Sequence, residues 1–145
     1  MKKYAIALGA LGLVAGLTVT QASAGGSRVV IDQFGRGHTA AATQNGHGNF
    51  TRIWQQGKGN TLQTRQNGKG NQTIAGQDGK FNYAFSYQGG KNNLVGVAQM
   101  GRNNQAITTQ KGRNNVAATI QIGNGLKAET HQRGRGNTAV VIQGN

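Results

Sequence analysis

The chain has no cysteine and no proline, only three acidic residues against 16 lysines and arginines, and eight aromatics in 145 residues. Without cysteine there is no disulfide scaffold and no thiolate metal site. Without proline no backbone N–H is lost, which suits a chain whose amides nearly all join hydrogen-bonded ladders. With 35% hydrophobic residues, an ordinary core of leucine, isoleucine and phenylalanine cannot be assembled. Such a composition would fit disorder, but one feature opposes that. Glutamine recurs every eleventh residue, at Gln33, Gln44, Gln55, Gln66, Gln77, Gln88, Gln99, Gln110, Gln121, Gln132 and Gln143. A disordered chain needs no register; a fixed period marks a repeat architecture.

The first 24 residues stand apart. Lys2 and Lys3 precede an apolar run from Tyr4 to Val19, and Ala22-Ser23-Ala24 offers small residues at a cleavage point. This is the layout of a secretory signal peptide over residues 1–24. Cleavage before Gly25 would leave 121 residues, eleven units of eleven, with 14 basic and 3 acidic residues and a net charge of +11.

With each glutamine as position 0, position 2 is glycine in all ten complete units, from Gly35 to Gly134. Position 5 is asparagine at Asn49, Asn60, Asn71, Asn82, Asn93, Asn104, Asn115 and Asn137, and position 4 is glycine or asparagine except at Phe81. Glycine and asparagine tolerate positive φ, so positions 1 to 5 read as a tight turn. Positions 6 to 10 and the next glutamine read as a strand. Positions 7 and 9 are never charged or aromatic, whereas Arg52, Arg65, Lys127, Glu129, Trp54, Tyr83, Phe85 and Tyr87 all fall at positions 6, 8 or 10. That alternation places the small residues, asparagine and glutamine inside and the charges and aromatics outside. One strand cannot close a layer, so two units, twice the eleven-residue period, should make each rung. The expected fold is all-β, a two-sheet parallel β-solenoid with six strands in one sheet and five in the other. Rungs stack at about 4.8 Å and the sheets lie about 10 Å apart. The inward glutamines and asparagines then form amide ladders along the stack.

Position 3 holds Arg36, His47, Lys58, Lys69, Lys80, Lys91, Arg102, Arg113 and Arg135, with Asn124 the neutral member. In the solenoid these make two basic rows. They serve either as a solvated edge that keeps molecules apart or as a ridge for extracellular DNA, lipopolysaccharide or acidic polysaccharide. Such binding would weaken steeply with salt. Neither terminal strand carries a polar capping unit. Val29 and Ile31 line the first edge, Ala139, Val140, Val141 and Ile142 the last, and an open edge of high β propensity adds strands. Gly144 and Asn145 together with Gly25, Gly26 and Ser27 of a following copy equal one internal turn in length, so head-to-tail stacking is expected to imitate a turn. Catalytic residues, metal sites and cofactors are not expected: the three acids lie in different units, and His38, His47 and His131 read as scattered turn or outward residues.

The unit resembles the curlin repeat of bacterial curli amyloid subunits, Gln-x-Gly-x-x-Asn-x-Ala-x-x-x-Gln. It is matched throughout from Gln132 through Gly134, Asn137 and Ala139 to Gln143, and again from Gln99 to Gln110 and from Gln110 to Gln121. The resemblance covers nearly all of residues 25–145. It implies a secreted, self-assembling fibre subunit of biofilm matrix, exported through the periplasm and a dedicated outer-membrane channel with accessory proteins, and partnered by other curlin subunits. Two departures stand out. Only Gly25, Gly26 and Ser27 precede the first strand, where the major curlin has a glycine-rich leader, and Leu126 replaces a turn asparagine. The unbroken spacing of eleven looks more like the minor, nucleating curlin. The alternative left by the residues themselves is a monomeric basic β-solenoid that binds extracellular polyanions.

Overall fold

A computed structural model of the chain describes residues 25–145 and two backbone segments within residues 1–24, Ala7–Leu8 (β1) and Leu17–Ala22 (β2). The rest of the stretch read as a signal peptide lies outside the described residues. Eleven strands follow: Arg28–Arg36 (β3), Thr39–His47 (β4), Phe50–Lys58 (β5), Thr61–Lys69 (β6), Gln72–Lys80 (β7), Tyr83–Lys91 (β8), Leu94–Arg102 (β9), Gln105–Arg113 (β10), Val116–Asn124 (β11), Lys127–Arg135 (β12) and Thr138–Gly144 (β13).

The fold is a parallel β-solenoid with 22 residues per rung, the separation of Gln55 from its stacked partner Gln77. Odd-numbered strands form one sheet, β1-β3-β5-β7-β9-β11-β13, and even-numbered strands the other, β12-β10-β8-β6-β4-β2. Each strand from β3 to β11 pairs with the strand two units later, in parallel and without slip, so Gln55 lies beside Gln77 and Gln88 beside Gln110. Among the described residues the sheets hold seven and six strands rather than the six and five expected, because β1 pairs with β3 and β2 with β4.

The strands are also longer than the composition indicates. Each full strand runs through position 3 of the following unit, and only positions 4 and 5 are left outside it. Glycine at position 2 reads as part of the turn, since glycine commonly marks turns. Here it bends a strand that continues to pair. Gly57 has φ +109°, and a Cβ on it would overlap Gly79 O of the next rung. Close backbone stacking therefore excludes every side chain there. Even the turns stack. Asn92 N donates to Lys69 O at 2.9 Å, and Tyr83 N to Asn104 O at 2.8 Å.

The core is narrow and built mostly of small side chains. Ala40, Ala42, Ile53, Leu62, Ala75, Ala84, Val95, Val97 and Ala106 form it, with Val29 and Ile31 packed against one end. Position 4 adopts φ between 54° and 69° in every unit, Phe81 included at 57°. For phenylalanine this left-handed backbone is strained; the register of the neighbouring units imposes it.

Candidate functional site

The inward glutamines form a continuous polar spine. Gln44, Gln55, Gln66, Gln77, Gln88, Gln99, Gln110, Gln121 and Gln132 are buried, while Gln33 and Gln143 at the two ends are partly exposed. The bonding is directional. Gln55 Nε2 donates to Gln77 Oε1 at 2.8 Å, Gln77 Nε2 to Gln99 Oε1 at 2.7 Å and Gln99 Nε2 to Gln121 Oε1 at 2.8 Å. In the other sheet Gln44, Gln66, Gln88 and Gln110 do the same toward Gln66, Gln88, Gln110 and Gln132. The second hydrogen of most of these amides goes to a main-chain carbonyl sixteen residues back, as from Gln99 to Tyr83 O at 3.0 Å. That bond crosses from one sheet to the other. Thr51 and Thr73 add a further tie, donating to Gln66 Oε1 and Gln88 Oε1 at 3.1 and 2.9 Å. The spine therefore both stacks rungs and joins the two sheets.

The asparagines work differently from the expected amide ladder. Side chain meets side chain only from Asn93 to Asn71 and from Asn115 to Asn93, at 3.1 Å each. Elsewhere among the described residues the asparagine clamps main chain. Asn60 Oδ1 accepts from Asn82 N at 3.0 Å, while its Nδ2 donates to Gln56 O at 2.8 Å and Gly79 O at 3.3 Å. Asn49, Asn71, Asn82, Asn93, Asn104 and Asn115 are buried in this role; Asn137, on the last complete turn, is exposed. Two further residues hold the same place. His38 is 4% exposed, not an outward residue, and its Nδ1 accepts from Asn60 N at 3.2 Å with Nε2 3.0 Å from Phe34 O. The tautomer protonated on Nε2 satisfies both contacts. Ser27 Oγ accepts from Asn49 N at 3.2 Å. Both lie at position 5 when the frame is carried back, so the period itself is the signal that locates them. Leu126 has no amide, yet its N–H still reaches Asn104 Oδ1 at 3.0 Å.

The basic position-3 side chains fall into two rows, all exposed. Arg36, Lys58, Lys80 and Arg102 are in register along one sheet edge, ending at Asn124; His47, Lys69, Lys91, Arg113 and Arg135 follow the other. Neighbours one strand apart repel by roughly 0.8 kcal/mol in water before screening. Relief is sparse. Arg52 lies 3.9 Å from Asp32, away from either row, and Glu129 takes His131 at 2.6 Å. Lys58 Nζ also stands 6.0 Å above the Phe81 ring.

The two ends differ from the middle. Val140 and Ile142 on β13 are 60% and 70% exposed, and Ala139 and Val141 are half-buried. Val29 and Ile31 on β3 are half-buried as well. Gly25, Gly26 and Ser27 already have the bonding of positions 3 to 5 of a turn: Gly48 N donates to Gly25 O at 2.9 Å, as Gly59 N does to Arg36 O at 3.0 Å. Apart from Arg102 in the basic row, the outer face of the odd-numbered sheet is uncharged across β9, β11 and β13, where Met100, Ile122, Val140 and Ile142 are exposed. The opposite face carries Arg65, Lys111, Lys127 and Glu129. Among the described residues no cluster of three or more histidines or acids is placed to hold a metal ion. No family model matches the chain, and neither does any curated protein or solved structure compared with it.

Proposed function

We propose that residues 25–145 are a secreted structural subunit of a curli-like amyloid fibre, built by stacking solenoid rungs edge to edge at the cell surface. The observation that carries this reading is the terminal strand β13, a parallel edge of Ala139-Val140-Val141-Ile142 with no charge and no proline. Natural sheets block such edges with charge, proline or a cap. An edge left open in a protein with this interior adds another strand with the same ladder. Secretion follows from the residue pattern of 1–24, and the outer-membrane channel, accessory proteins and partner curlins follow from the repeat resemblance. Self-association needs none of these partners, because a strand added at the edge extends the parallel ladder and the glutamine spine that already run through the chain.

The test is incubation of the 25–145 polypeptide at micromolar concentration. Fibres with cross-β reflections at about 4.8 Å and about 10 Å are expected. A persistent soluble monomer would refute the assignment. Removal of Thr138–Asn145 should slow growth sharply in a thioflavin assay, and unchanged kinetics would show that this edge is not used.

A second reading is favoured by one observation, the two exposed basic rows in register. They suit a linear polyanion such as DNA, lipopolysaccharide or an acidic polysaccharide, on a monomer or along a fibre. Replacing Lys58, Lys69, Lys80 and Lys91 with glutamine should lower affinity and flatten its salt dependence; an unchanged salt slope would remove the rows from any such role.

A further inference from the structure

The spine gives the solenoid two chemically unlike ends. Its Nε2 hydrogens point toward higher residue numbers and its Oε1 atoms toward lower ones. At the high-numbered end Gln132 and Gln143 spend one hydrogen each on Val116 O (2.9 Å) and Lys127 O (3.0 Å). Their second hydrogens meet no acceptor among the described residues. At the low-numbered end no described donor reaches Gln33 Oε1, and Gln44 Oε1 is buried with no partner. One end thus offers two donors and the other two acceptors.

The high-numbered end is also stepped. β13 rests on β11 and β12 on β10, with no strand beyond either among the described residues; counted in two-strand rungs from β3, β13 is a half rung with no companion in the even-numbered sheet. A gap one strand deep is left in the even-numbered sheet beside β13.

We propose that successive copies of the 25–145 polypeptide stack with their sheets exchanged: β3 of the next copy seats on β12, and β4 of the next copy on β13. This rests on the stacking reading above and specifies its joint. Gln132 then donates to Gln33 of the next copy, and Gln143 to the otherwise unpartnered Gln44 oxygen. A flush stack, with β3 on β13, pairs Gln143 with Gln33 only. It leaves the gap over β12 open and gives the Gln44 oxygen no donor. The exchange agrees with the odd count of eleven strands from β3 to β13. Each copy is turned by half a revolution, and its rise along the fibre is about 26 Å, eleven strands shared between two sheets at about 4.8 Å. In the full chain β1 on β3 and β2 on β4 occupy the places that β12 and β13 of a neighbour take in this joint. The uncharged outer face near β13 then alternates between the two sides of the fibre.

Cysteine pairs read the joint, since the chain has no cysteine of its own. In the exchanged joint Val140 lies beside Ala41 of the next copy; in a flush joint it lies beside Val30. Stacked neighbours about 4.8 Å apart are within disulfide range. Within one copy Val140 and Ala41 are on opposite sheets, and β3 and β13 are separated by four strands. Fibres of Val140→Cys with Ala41→Cys should oxidise to a covalent ladder, and those of Val140→Cys with Val30→Cys should not. A ladder from the second pair, or from neither while fibres form, overturns the exchange and leaves stacking intact. Failure of the unsubstituted polypeptide to form fibres overturns the stacking reading itself. Should the cysteine variants not assemble, helical reconstruction of unsubstituted fibres decides: a half turn with a rise of about 26 Å supports the exchange, and about 29 Å without a half turn, six strands deep, overturns it.

Discussion

Adjacent strands β8 and β10 are nearly alike on one face and unlike on the other. Inward, Ala84 lies beside Ala106, Ser86 beside Thr108 and Gln88 beside Gln110; outward, Tyr83 lies beside Gln105, Phe85 beside Ile107 and Tyr87 beside Thr109. Inside, each residue stacks on its counterpart one rung away, so a side chain must fit against its own kind, and the glutamines also bond to one another. Outside, water accepts whatever is presented. The inner face therefore carries the fold and the outer face carries what distinguishes one rung, and one side of the molecule, from another.

Four substitutions grade that contrast, each measured as the shift in guanidinium unfolding midpoint of the 25–145 polypeptide held dilute enough to stay monomeric. The largest loss is expected for Gly90→Ala. A Cβ there would overlap Gly112 O of the next rung, at φ +117°, so the ladder must part locally, at a cost of about 4 kcal/mol or more. Next is Gln99→Leu, which keeps the size but strands Gln77 Nε2, Gln121 Oε1 and Tyr83 O. With buried unpaired groups costing about 1–3 kcal/mol each and some relaxation, a loss of about 3 kcal/mol is expected. A midpoint within error of the parent would show that the spine fills space without contributing hydrogen bonds. Phe81→Asn should act in the opposite direction, gaining about 1 kcal/mol, because asparagine takes the left-handed backbone more readily. A loss there would mean that the Phe81 ring over Gly59 and Lys58 outweighs its strain. The smallest effect is Ile107→Thr on the outer face, expected within about 0.5 kcal/mol. A large loss at Ile107 would erase the distinction between faces.

The period, the two-unit rung, the inward glutamines and the two basic rows were all legible in the sequence. Stacking forces each unit into the same environment, so a requirement met once is written ten times. What the sequence left out is the identity of the bonded atoms. The asparagine at position 5 reads as a stacking amide, but the same residue clamps main chain, and nothing in its spacing separates the two. Position 2 reads as a turn because glycine serves two physical purposes, permitting a turn and permitting close backbone approach. His38 and Ser27 were hidden by chemistry rather than position: each offers an acceptor where asparagine does, without sharing its name. The unpartnered Gln44 oxygen and the donors on Gln132 and Gln143 needed the direction of the spine, which a period cannot carry.

The glutamine ladder runs within one chain, each glutamine of the repeat stacked on the next but one. Solid-state NMR on fibres of 25–145 protein with 13C-labelled glutamine, diluted about tenfold into unlabelled protein, addresses it directly. Side-chain contacts between glutamines at about 4.8 Å should survive dilution nearly undiminished, since all but those at the joints are intramolecular. Their loss on dilution would mean that each glutamine stacks on its own copy in neighbouring molecules, and that the solenoid is not the structure of the fibre.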